Sequence, residues 1–228
     1  MISSEIPENV RRGKSAILWT KIFLALGVAS ALYSEYIIHV GKSFLEMSQG
    51  SPPVQPPDPT LLLTVLFFLF LTFCLSVVSL VIIYKFCKWL HNTTTFLRKY
   101  TSTKFSPFGA VICTMIPWIC GFVDYFIFKD ILDQQKRILA AKDEKFKPLD
   151  KKVLIAIPVL TALIIVPMPF VEDLSARMAS LVAFVFITGA YIKTMETLVE
   201  NEESLYAMRE RILLNRKVEE ILAQRENS

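Results

Sequence analysis

Four long apolar stretches, 15–38, 60–84, 105–128 and 153–171, and a shorter fifth at 178–192, restrict this chain to folds that a lipid bilayer accepts. A hydrocarbon core of about 30 Å takes about 20 apolar residues of helix to cross. Most of these stretches are long enough. With 53% of its 228 residues hydrophobic, the chain belongs compositionally to the membrane class. The sequence predicts one all-α membrane domain over 1–193, with spans at about 15–38, 60–84, 153–171 and 176–193. Too little chain lies outside the apolar stretches for a separate soluble domain.

Lysine and arginine set the orientation, because cytoplasmic flanks carry the excess of basic residues. Arg11, Arg12 and Lys14 precede the first stretch and hold the N-terminus inside. They also resemble the start of a signal peptide, with Ala29-Ser30-Ala31 as a cleavage site. The apolar run continues to Ile38, however, and suits an uncleaved span better. The following segment, rich in proline and with Lys42 as its only basic residue, reads as an external linker. The second stretch carries no charge and returns to Lys85 and Lys88.

The third stretch breaks this pattern. Lys85, Lys88, Arg98, Lys99 and Lys104 precede it, and Lys129, Lys136, Arg137, Lys142, Lys145 and Lys147 follow it. Both flanks read as cytoplasmic, which one straight crossing cannot satisfy. Segment 105–128 is therefore expected to enter the bilayer, turn and leave on the same face, with Pro107, Gly109, Pro117 and Gly121 breaking its helix. Broken backbone at that depth needs a cover of protein or a wet cavity. The expected fold is four transmembrane helices plus this proline-broken re-entrant hairpin, with both termini cytoplasmic. The alternative is five transmembrane helices, the third one kinked.

The short fifth stretch is expected to continue as helix past the interface, forming a cytoplasmic amphipathic tail over 194–228. Met195, Leu198, Leu205, Met208 and Ile212 form a stripe amid charges. Such a helix is either solvated with one sticky face or a coiled coil with a second copy or a membrane-protein partner. Phe96, Leu97 and Tyr100 among Arg98, Lys99 and Lys104 read as an interfacial helix. Cys74, Cys87, Cys113 and Cys120 show no CxxC spacing, and small packing residues or inert thiols explain them.

The run Phe105-Ser106-Pro107-Phe108-Gly109-Ala110-Val111, then Ile116-Pro117, then Tyr125 and Lys129-Asp130-Ile131, carries a family resemblance. Upstream stands Tyr84-Lys85-Phe86-Cys87-Lys88-Trp89 with Asn92. These residues resemble a bacterial family of multi-pass membrane proteins known only as domain of unknown function 4328, most closely over 84–132. Cys120 stands where the family has Asn, and Asp124 where it usually has Pro. The resemblance implies a helical membrane fold in a bacterial cytoplasmic membrane and brings no activity with it. The candidate motif is Ser106, Pro107, Pro117, Asp124, Tyr125, Lys129 and Asp130.

Asp124 is the most expensive residue in the apolar stretches, since a carboxylate in lipid must be paired, neutralised or hydrated. Lys129 or the basic loops are the partners expected for it. Glu35 and His39 share one face of the first helix and are expected to bond to each other. Lys21, beside Trp19, is expected to snorkel to the inner headgroups, and Arg177 to the outer ones. The basic loops suit anionic inner-leaflet lipid rather than nucleic acid. No catalytic motif, metal-ligand spacing or cofactor motif stands out. The sequence therefore favours a non-enzymatic scaffold or accessory subunit contacting the lipid bilayer or another membrane protein. The rival is a small channel or transporter using the broken segment, with Ser76, Ser79, Ser106, Thr114, Asp124 and Thr188 as its polar lining.

Overall fold

The computed structural model describes residues 5–48, 59–115, 120–165 and 174–226, and all the regular structure among them is helical. The elements are α1 (Glu5–Ser48), α2 (Pro59–Arg98), α3 (Pro107–Thr114), α4 (Cys120–Ala140), α5 (Lys151–Ile165) and α6 (Leu174–Glu226). Three of them, α1, α2 and α6, are long and apolar enough to cross a membrane. They contain the spans expected at 15–38, 60–84 and 176–193. The fourth expected span begins in α5, which carries Pro158, but its end, with Pro167 and Pro169, lies outside the described residues.

Helix α1 runs antiparallel to both α2 and α6. Tyr33 packs edge-on against Phe67 near one end, and Asn9 meets Thr93 near the other. Toward α6, Lys21 pairs with Glu196 at 2.8 Å, Lys14 with Glu203, and Glu35 with Arg177 at 2.9 Å. The N-terminal turns of α1, the last turns of α2 and the charged half of α6 therefore meet at one end of the bundle.

Burial divides the molecule at that same boundary. Along the apolar part of α2, Leu63, Phe73 and Leu80 are each at least 66% exposed. Large apolar side chains facing outward in a band this long fit lipid, which supplies no force to drive them inward. At the charged end the opposite holds: Trp89, Leu97, Phe128, Ile131, Leu139 and Leu198 are wholly or almost wholly buried. Water restores the hydrophobic drive there, and one face of each extended helix turns into a common core.

Of two sequence expectations at this end, one changes and one holds. Phe96 and Leu97 are not on an interfacial helix; they belong to α2, which continues unbroken to Arg98, and they point into the core. Helix α6 continues unbroken past 193, as expected from its sequence. Residues 194–206 include its most buried stretch, and continuous exposure sets in only after Leu213. The core at this end is assembled from extensions of the long apolar helices together with α4 and the start of α5.

Segment 105–128 is divided between two helices. Ser106 caps α3, its hydroxyl accepting from Gly109 N–H at 2.9 Å, and Pro107 occupies the first turn, where its missing N–H leaves nothing unsatisfied. Pro117, named above as the breaker, lies outside the described residues. The loop before α3 is fastened to the middle of α4: Lys104 N–H donates to Asp130 Oδ2 at 2.9 Å, and Gln134 Nε2 donates to Ser102 O at 3.2 Å. The entry and exit of the segment thus lie side by side. Gly121 seats α4 against α5, since a Cβ there would overlap Thr161.

Candidate functional site

The site is built around Asp124. Helix α4 carries it on the face that also buries Ile127, Phe128 and Ile131, one turn or two further on, so the carboxylate points into the protein rather than toward lipid. It is 4% exposed. Tyr191 of α6 donates its phenol to Asp124 Oδ2, and the Tyr191 ring is held edge-on by Phe128 at 5.8 Å. Asp124 Oδ1 receives no hydrogen bond among the described residues.

Asp124 belongs to the wall of a cavity of about 320 Å³. Helices α1, α2, α3, α4 and α6 all contribute to it. Its polar lining is Thr20, Ser79, Thr114, Asp124, Thr188 and Tyr191, and its apolar lining includes Phe23, Ile82, Phe86 and Met195. Ile83, also in the wall, is 40% exposed, so the cavity is open rather than sealed. Of the six polar residues expected to line a path, Ser79, Thr114, Asp124 and Thr188 come together here. Ser76 and Ser106 do not: Ser76 is exposed and bonded to Thr72 O, and Ser106 is spent on the α3 cap.

The remaining motif residues have structural partners. Tyr125 lies beside Phe126 with the Lys129 ammonium 5.9 Å from its ring centroid, a cation–π contact. Lys129 therefore does not pair with Asp124, contrary to the sequence expectation; the partner is Tyr191, 67 positions away. Asp130 accepts from Lys104 N–H and from Gln134 Nε2 at 3.3 Å, tying the hairpin's base.

A second buried carboxylate was not singled out in the sequence. Glu202 of α6 is fully buried among four donors: Asn9 Nδ2 at 2.6 Å, Trp89 Nε1 at 2.9 Å, Thr93 Oγ1 at 3.1 Å and Tyr206 Oη at 3.1 Å. Burial pushes its pKa above the ordinary carboxylate value, and the hydrogen bonds of Asn9, Trp89, Tyr206 and Thr93 oppose that rise. Burial and the neighbouring carboxylate also raise the Tyr206 phenol. Gly13 makes room for this cluster. A Cβ at that position would stand 2.5 Å from Val199 Cγ2 and 2.9 Å from Trp89 Nε1. The signal was legible in phase, because Glu202 lies four residues after Leu198 and three before Leu205, on the apolar stripe itself.

At the opposite end, Arg177 lies against Glu35 rather than reaching to headgroups, in an ion pair whose N–H direction misses hydrogen-bond geometry. Glu35 is thereby drawn toward α6. Lys21, expected at the headgroups, is turned to Glu196. A wider cavity of about 540 Å³ borders the Glu35–Arg177 pair, but its two charges answer each other, which distinguishes it from the Asp124 site.

Compared with known proteins, the chain matches no family model, no curated protein and no solved structure.

Proposed function

We propose that this chain is a multi-pass protein of a bacterial cytoplasmic membrane, with both termini inside, that binds a small molecule in the cavity under its re-entrant hairpin. This places it in the channel or transporter class rather than among scaffolds, and the resemblance to domain of unknown function 4328 belongs to the same reading. The distribution of basic residues supports the orientation. Support for re-entry comes from the hairpin's dimensions. Helix α3 has 8 residues, about 12 Å, and α4 takes about 15 Å from its start to Asp130. Neither arm matches the roughly 30 Å of a hydrocarbon core, and the base of the hairpin is fastened by Asp130 and Gln134.

One observation carries the binding role: Asp124 is nine-tenths buried or more, it lines a cavity, and its Oδ1 has no protein donor among the described residues. A carboxylate used only for packing would have both oxygens answered, as Glu202 does. Intramembrane carboxylates facing a cavity between broken helices are how permeation and binding sites are built. The test is mass spectrometry of small molecules released from protein purified in detergent. The wild type is expected to release a low-mass compound that Ser79→Phe, which fills the cavity with a ring, does not hold. Identical spectra, together with a membrane protein that co-purifies in fixed ratio, would favour the scaffold instead.

A further inference from the structure

We infer that the Asp124 cavity is selective for a lipophilic organic monocation, a single positive charge on an apolar body about the size of one ring system. This rests on the reading of the cavity as a binding site and adds the chemistry of its occupant. The argument concerns which way the polar groups face. Thr20 donates its hydroxyl proton to Ala16 O at 2.8 Å, Ser79 to Leu75 O at 2.8 Å, and Thr114 to Val111 O at 2.8 Å. With those protons committed to their own helices, the three hydroxyls have only lone pairs left to offer. The Tyr191 phenol proton is likewise committed, to Asp124 Oδ2.

The lining thus presents three hydroxyl oxygens as acceptors and the Asp124 carboxylate as its one charged group, beside the Thr188 hydroxyl. No lysine, arginine or histidine is in the wall among the described residues. Phe23, Phe86 and Tyr191 add aromatic rings, whose faces attract cations. An anion would meet lone pairs and a carboxylate with no cationic group to offset them. A hard metal ion takes six or more oxygens, whereas most of this wall is apolar. One carboxylate balances one charge, and the apolar wall suits a hydrocarbon body. At about 320 Å³ the space is at the small end of ligand pockets.

The experiment uses two probes of nearly identical shape: benzyltrimethylammonium, a monocation, and neopentylbenzene, in which carbon replaces the charged nitrogen. Binding of each to the full chain in detergent is measured by equilibrium dialysis against empty micelles. The cation is expected to bind saturably and more tightly than its isostere. Asp124→Asn, which keeps an acceptor for Tyr191, is expected to weaken the cation about tenfold to a hundredfold and leave the isostere unchanged. Ser79→Phe is expected to abolish both. Equal affinities for the two probes, or a cation affinity indifferent to Asp124→Asn, would overturn the charge selectivity while leaving a binding cavity in place. If the wild type holds neither probe and releases no small molecule, the binding role falls with it. Gel filtration and helical circular dichroism establish that each variant is folded, and the comparison of the two probes on wild-type protein needs no variant.

Discussion

A carboxylate taken out of water keeps its charge only where donors replace the water, and at Glu202 four side chains from three helices do so. Removing it leaves those donors facing an apolar core. Glu202→Ala is therefore expected to lower stability by on the order of 3–5 kcal/mol, read as a fall in the unfolding midpoint of detergent-purified protein. The sign of the pH effect follows from burial. The folded pKa lies above the ordinary 4.5, so the folded chain binds this proton more tightly than the unfolded chain does. That contribution is full below about pH 4.5 and is lost as pH rises through the folded value. Wild-type stability measured against Glu202→Gln should accordingly decline as pH rises. A difference that stays flat with pH would contradict this account of the site.

Helices α1 and α6 approach each other closely at the charged end because Gly13 has no side chain. Gly13→Ala would drive a methyl group into Val199 and the Trp89 indole, and is expected to cost about 1–3 kcal/mol with a change in tryptophan fluorescence as the Trp89–Glu202 bond is disturbed. Gly189, in the apolar part of α6, is the contrast: a Cβ there meets nothing within 4 Å. Gly189→Ala should be neutral or stabilising by up to about 1 kcal/mol, from helix propensity alone. The same contrast explains what could be read from the sequence. Apolar runs announced the positions of α1, α2 and α6, since lipid demands continuous hydrophobicity. The extension of α2 was obscured because charges at Lys85, Lys88 and Arg98 share it with the buried Trp89, Leu90 and Leu97. A mixed helix of that kind reads as surface until its partners are known. Thr114, Asp124, Ser79 and Thr188 were recognisable as rare polar groups in apolar surroundings, whereas Tyr191 as the partner of Asp124 was not, because only the packing of α4 on α6 brings them together.

For the molecule as a whole, the physical theme is a change of solvent along one bundle. Where lipid surrounds it, the helices touch sparingly and leave apolar side chains outward; where water surrounds it, the same helices close a core stitched by Glu202, by the Asn201 clamp on Lys147 and by Gln135 on Leu198 O. In the architecture proposed above, segment 105–128 stands at the junction, rooted by Asp130 in the core end and carrying Asp124 to the cavity. The proposed re-entry requires that both flanks of segment 105–128 face one compartment. Single cysteines at Thr101 and Lys142, in a chain lacking its own cysteines, can be labelled in intact spheroplasts with a membrane-impermeant maleimide before and after permeabilisation. Both positions are expected to react only after permeabilisation, in step with a cysteine near the C-terminus. Labelling of Thr101 and Lys142 from opposite sides would show a kinked crossing in place of the hairpin.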